Sequence, residues 1–288
     1  MRIPVVVLSA ILVSAAAPLF SGGTGDESLG SEELPVKWGF VPPHNDPDFE
    51  ASMEEYLVPF SLEAGLFIEA ELFDSFSALV DALSSSSVHV ALLPALTYLV
   101  PFQRGVVQPG LVATQDRVAS TDLIIRDDLD LFGDSLPPMR IARFGDLDPS
   151  GWLLPRIILA RYGISDGTFE IFETESHEAT ISALAEGDAD VGAVPSRLSE
   201  VPLELPAGVS VLAVVEGVGG DGIHFLSTMD HAVAAKITES IMARSDSQRL
   251  GYLGEILGWQ ALEIVNDDVF DQYRLILRSV GLDAENLP

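Results

Sequence analysis

Cysteine is absent from the 288 residues, so no disulfide framework, thiolate nucleophile or cysteine-ligated metal site is open to this chain. Basic residues are scarce: 15 Lys and Arg stand against 44 Asp and Glu, a formal charge of −29. A surface of that sign repels phosphate backbones and anionic headgroups, which argues against nucleic acid as a partner. Catalytic signatures are missing too. There is no Gly-x-Ser-x-Gly elbow, no P-loop and no His-Glu-x-x-His helix. The five histidines, His44, His89, His177, His224 and His231, include no i, i+4 pair for a metal. Carboxylate pairs such as Asp127-Asp128 and Asp267-Asp268 read as solvated faces or helix starts. No catalytic residue, cofactor or metal site is therefore expected.

What is present suits a folded chain. Hydrophobic residues make up 48% and charged ones only 20%, enough to bury a full core and too little charge for a disordered polyelectrolyte. The acidity reads as solubility, or as a patch for a cationic partner. Residues 1–23 have the outline of an address: Arg2 is positive, and Val5–Phe20 is apolar except for two serines and Pro18. Ala15-Ala16-Ala17 offers a small-residue cleavage site, with Pro18 hindering it. The apolar run falls short of the roughly 20 residues a spanning helix prefers. The alternatives are a signal peptide and an uncleaved N-terminal anchor. Phe20-Ser21-Gly22-Gly23 resembles a lipoprotein cleavage site, but glycine stands where the lipidated cysteine must be. Residues 24–33 read as a solvated linker.

From Leu34 the chain repeats one pattern. Strand Val36–Val41, a helix over Asp48–Ala64, strand Leu66–Phe73, a helix carrying Phe76, Leu79, Val80 and Leu83, and strand Val88–Leu93 come first. About a hundred residues later come strand Met139–Phe144, helix Ser150–Tyr162, strand Thr168–Phe172, a helix ended by Gly187, and strand Ala189–Val194. Alternating strands and helices predict an α/β fold of two lobes, each a mainly parallel sheet flanked by helices. Val106–Arg126 and Pro202–Val215 would cross between lobes, making a two-crossing hinge that lets them close over a solute. Residues 34–122 with 217–288 form the expected first lobe, and 123–216 the second. Helices near Asp230–Ala243, Ser247–Leu257 and Asp268–Val280 complete the chain. Ligands of such sheets sit beyond the strands' carboxyl ends, where helices begin. Pro47, Ser75, Ser150 and Ser176 mark four such beginnings, whose amides favour an acceptor-rich ligand.

Several stretches resemble the phosphonate/phosphite/phosphate-type substrate-binding proteins of ABC transporters, periplasmic binding proteins with the type II, transferrin-like fold. The stretches are Gly39-Phe40-Val41-Pro42, Phe73–Leu79 with Val88–Pro94, Gly145–Pro155, Ser176–Thr180 with Asp190–Ala193, and Asp267–Arg274. The resemblance spans Val36 to Asp283. It implies an exported monomer, periplasmic or extracellular, that closes on a small oxyanion-like solute and delivers it to an ABC permease with its ATPase. It also implies an anion-binding turn at Asp148-Pro149-Ser150-Gly151, where the family usually reads Ser-Thr-Ser-Gly. Here two hydroxyls are gone, Pro149 has no N–H, and Asp148 repels an anion unless protonated or turned away. Phe76 stands where a tyrosine is common, and Leu93 where some relatives are aromatic. Arg197 aligns loosely with an acid that contacts amines, while Asp221 keeps a familiar acidic position.

The candidate ligand-binding residues are Ser150, Gly151, Trp152, His177, Asp148, Phe76, Ser75, Asp221, Tyr98 and His44. His177 at a helix start either donates to a ligand oxygen or caps locally. Ser150 with the amides of Gly151 and Trp152 either binds an anion or caps a helix. Trp152 and Phe76 either floor the site or fill the core. Two further readings remain: a sensory or docking module that kept the fold and lost transport, and a periplasmic enzyme on the same fold.

Overall fold

The computed structural model describes residues 28–42, 48–115, 120–130, 138–196, 204–217 and 219–287. The N-terminal address, His44, Pro47 and Arg197 lie outside the described residues. No helix among the described residues is long and apolar enough to cross a membrane.

Strand β1 (Val36–Phe40) is followed by α1 (Phe49–Ala64), β2 (Ile68–Leu72), α2 (Phe76–Ser84) and β3 (Val90–Leu93). Each boundary has a local cause. Gly65 ends α1 in the left-handed region at φ 62°, its amide returning to Ser61 O. Ser75 starts α2 by accepting from the Ala78 amide. The Val-Ala-Leu-Leu of β3 is buried on both faces, as a central strand must be.

Next come α3 (Ala95–Gln103), β4 (Val107–Gln115), β5 (Thr121–Arg126) and β6 (Arg140–Phe144). Helix α3 was not foreseen. Ala95 through Pro101 are all buried, so the helix has no polar face to give it a 3.6-residue period. After β6 a single π-helical turn (Pro149–Leu153) leads into α4 (Leu154–Arg161), in place of the one helix expected over Ser150–Tyr162. Then follow β7 (Glu170–Thr174), α5 (His177–Glu186), β8 (Val191–Pro195), β9 (Val209–Val215) and β10 (Gly222–Leu226). The chain closes with α6 (His231–Met242), α7 (Asp246–Leu257), β11 (Trp259–Ile264) and α8 (Asp271–Ser279). Strand β11 was also unforeseen.

The strands form two sheets, ordered β2-β1-β3-β10-β4-β11 and β7-β6-β8-β5-β9. The repeat seen in the sequence is real in space. In the first sheet β1 lies between parallel partners β2 and β3, and in the second β6 lies between parallel partners β7 and β8. The sheets are mixed rather than mainly parallel. Strand β10 enters the first sheet antiparallel to β3, and β5 enters the second antiparallel to β8. Both arrive from the opposite sheet: β4 feeds β5, and β9 feeds β10. Two crossings thus join the sheets, and each delivers a strand that runs against the βαβ units already there.

Core packing follows the same division. One apolar cluster, with Trp38, Met53, Phe60, Ile223 and Ile237, fills the space between the first sheet and α1 and α6. Another runs from α2 and α3 through Leu147 and Trp152 to α4, so apolar packing is continuous across the junction of the two halves.

Candidate functional site

The turn after β6 is built by its own side chains. Gly145 adopts φ 64°, turning the chain at the carboxyl end of the strand. Gly151 is required for a different reason: a Cβ there would stand 2.2 Å from Phe144 O. Between them, Asp148 caps the π-helical turn, its Oδ1 accepting from the Gly151 amide at 2.6 Å. The Asp148 carbonyl accepts from the amides of Trp152 and Leu153, each at 3.0 Å. Ser150 Oγ accepts a hydrogen bond from Thr121 Oγ1 at 3.0 Å, tying the turn to the strand that enters from the other sheet.

His177 opens α5 beside this turn. It is 6% exposed, lies edge-on to Phe144 with ring centroids 4.8 Å apart, and brings Nε2 to 3.9 Å from Asp148 Oδ1. Ser176 caps the same helix by accepting from the Ala179 amide at 3.0 Å. Burial raises the Asp148 carboxyl to about 6, against the opposing pull of the Gly151 and Ser150 amides. The guanidinium of Arg143, at the end of β6, is held by Asp146 and Glu173 and lies over the Trp152 ring.

The first sheet meets this turn through α3. Thr97 Oγ1 donates to Leu147 O at 2.8 Å, one residue before Asp148, and both residues are buried. Gly220, at φ 97°, runs close beside the start of α3; a Cβ there would lie 3.4 Å from Ala95 Cβ. Asp221 follows it, accepting from Gln115 Nε2 at 3.0 Å. Burial raises the Asp221 carboxyl to about 6, with the Gln115 bond opposing.

Asp148, Ser150, Gly151 and His177 are therefore brought together on the second sheet. Ser75, Phe76, Tyr98 and Asp221 belong to the first. Trp152, at 2% exposed, packs edge-on against Phe169 in the core. Tyr98 is fully buried, stacked on His224 at 4.1 Å, with its hydroxyl donating to Asp267 at 3.2 Å. Phe76 packs partly buried against the same cluster. The amides at Ala78, Gly151 and Ala179 are bound by Ser75, Asp148 and Ser176, so the chain's own side chains hold the helix starts that were expected to offer open donors. Two hydroxyls were missed, Thr97 and Thr121. Thr97 carries a faint signal, as a small polar residue inside the apolar and aromatic run Ala95–Pro101.

Two sheets of like strand order, joined by two crossings and meeting at helix starts, define a two-lobed α/β binding-protein fold of the type II periplasmic class. The family model for the ABC transporter, phosphonate, periplasmic substrate-binding protein matches residues 38–270, and the chain belongs to that family. It is by family a periplasmic substrate-binding component of an ABC transporter. Solved structures share its fold at low identity. A binding protein component of an ABC phosphonate transporter from Pseudomonas aeruginosa is 15% identical with TM-score 0.64, covering 84% of this chain and 85% of that one. PhnD1 from Prochlorococcus marinus, solved with methylphosphonate, is 13% identical with TM-score 0.60, covering 85% and 97%. A Xanthomonas citri protein solved with ATP is 18% identical with TM-score 0.66, covering 85% and 96%. No curated protein matches the sequence.

Proposed function

We propose that this chain is an exported, monomeric receptor that closes on a small oxyanion of the phosphonate, phosphite or phosphate class and presents it to an ABC permease with its ATPase. The lobes are residues 34–122 with 217–288 and residues 123–216, and the two crossings are the hinge. The observation that carries this reading is the meeting of the two halves at helix starts: α3 from one sheet reaches the Leu147–Gly151 turn of the other through Thr97. A guest held there touches both lobes, so its binding free energy favours the closed arrangement over the open one. The relative from Prochlorococcus marinus was solved with methylphosphonate, which supports the solute class.

Calorimetric titration with methylphosphonate, phosphite and phosphate tests the solute class. A response to none of them at millimolar concentration removes the oxyanion from the proposal. The mass of the mature chain decides between a cleaved signal and a retained anchor, and light scattering reads the oligomeric state.

A sensory or docking module is the second reading. The observation favouring it is that Asp148 already holds the Gly151 amide. A permease and an ATPase encoded beside the gene support transport, whereas a kinase or cyclase there supports sensing.

A further inference from the structure

The turn holds an anion of its own. Asp148 Oδ1 accepts from the Gly151 amide at 2.6 Å, and the amides of Trp152 and Leu153 are turned back onto the Asp148 carbonyl. These are the donors on which a solute oxyanion at this turn would depend. The carboxylate is not sealed in, since 17% of its side-chain surface stays exposed. The turn's arginine does not neutralise it: Arg143 is bound to Asp146 and Glu173. On the side of α5 the nearby titratable group is His177, at 3.9 Å. An approaching oxyanion therefore meets a negative oxygen where a receptor for fully ionised anions would place an N–H.

Hydrogen-bond chemistry leaves one way for the two negative groups to share the space. A carboxylate accepts and cannot donate, so the solute must bring the proton. A phosphonate, phosphite or phosphate monoanion has an acidic P–O–H that can donate to Asp148, making a charge-assisted bond. Its remaining oxygens need donors, and Ser150 can be one. Ser150 Oγ already accepts from Thr121 Oγ1, which leaves its own proton to point elsewhere. A sulfonate of the same shape has no proton to give, and its oxygens would face Asp148 in unrelieved repulsion.

Resting on the proposed oxyanion receptor, we infer that Asp148 is the specificity-determining residue of the cleft, admitting oxyanions that carry an acidic O–H and refusing those that carry none. Burial raises the affinity of its carboxyl for a proton even against the Gly151 and Ser150 amides, which agrees with a carboxyl that accepts a solute's proton.

The experiment compares methylphosphonate with methanesulfonate by calorimetry near pH 7, above the Asp148 value of about 6, where a share of the first still keeps one P–O–H and the second has none. The full chain and Asp148→Asn are titrated in parallel. The asparagine keeps an oxygen for the Gly151 amide and replaces the charge with a donor, and circular dichroism checks that the variant folds. The wild-type chain should prefer methylphosphonate by at least about a hundredfold, the scale on which a site rejects an analogue that leaves its polar group unpaired. Asp148→Asn should bind methanesulfonate and lose most of that preference. Equal binding of the two solutes by the wild-type chain overturns the inference and leaves the oxyanion receptor standing. An unchanged ratio in Asp148→Asn does the same. If neither protein binds either solute, the oxyanion receptor itself falls, and the role of Asp148 with it.

Discussion

Thr97 Oγ1 and Leu147 O lie 2.8 Å apart, a buried hydrogen bond that joins the first turn of α3 to the loop beneath Asp148. It couples residues fifty positions apart and links the two sheets at the place where the proposed solute sits. Substituting Thr97→Val keeps the shape and removes the donor, leaving a buried carbonyl without its partner. The expected cost is about 1–3 kcal/mol in urea denaturation. A loss below about 0.5 kcal/mol would mean that the bond contributes little to holding the halves together.

Asp148 and Asp221 set a pH dependence whose sign is fixed by their environment. Both folded-state values, about 6, lie above the ordinary carboxyl value of 3.8. Each group's contribution is therefore fully present below the unfolded value and is lost as pH rises through about 6. Asp148→Asn removes one of the two penalties. The variant should be more stable than wild type at neutral pH by up to about 3 kcal/mol, the difference closing as pH falls toward 4. Urea denaturation of both proteins at several pH values reads this directly, and taking the difference cancels the protein's general acidity.

Gly151 cannot take a side chain without moving the turn. A Cβ placed 2.2 Å from Phe144 O overlaps backbone, which has no rotamer by which to escape. Gly151→Ala should cost at least about 2 kcal/mol and weaken solute binding together with stability. A variant with unchanged Tm would show that the turn relaxes more freely than its packing implies.

His224 is fully buried, stacked on Tyr98, and neither ring nitrogen has a hydrogen-bond partner among the described residues. Burial lowers its proton affinity to about 3. A base whose folded value lies below its unfolded one weakens the fold as pH drops from about 6.5 toward 3. His224→Phe removes two unpaired polar atoms while keeping the stack. It should raise Tm modestly at neutral pH and by more near pH 5, as read by thermal denaturation.

Much of the βαβ content was written in local pattern. Ser75 and Ser176 announced helix starts and proved to be caps, and Gly187 closed α5 in the left-handed region, because these effects act within a few residues. The returning segment Pro202–Val215 contains strand β9 (Val209–Val215). Helix α3 escaped because burial of Ala95 through Pro101 erases the polar stripe by which a helix is recognised, and the short β11 lacks the strict alternation of buried and exposed residues that marks a strand. The segment of β5 was legible as a crossing but not its direction, and β10 was not read at all, since direction and pairing are set by which sheet the chain crosses into.

The sequence by itself determined the repeated βαβ order, the two crossings, the absence of thiol chemistry and the presence of an acid in the Asp148–Gly151 turn. Periodicity, capping and composition are properties of neighbours along the chain, so they survive without a structure. Only the tertiary structure decided that the Asp148 carboxylate turns inward onto the Gly151 amide with His177 beside it, and that Thr97 of one half bonds to Leu147 of the other. Those contacts join residues far apart in the chain, and their geometry depends on how whole sheets pack, which no local pattern encodes.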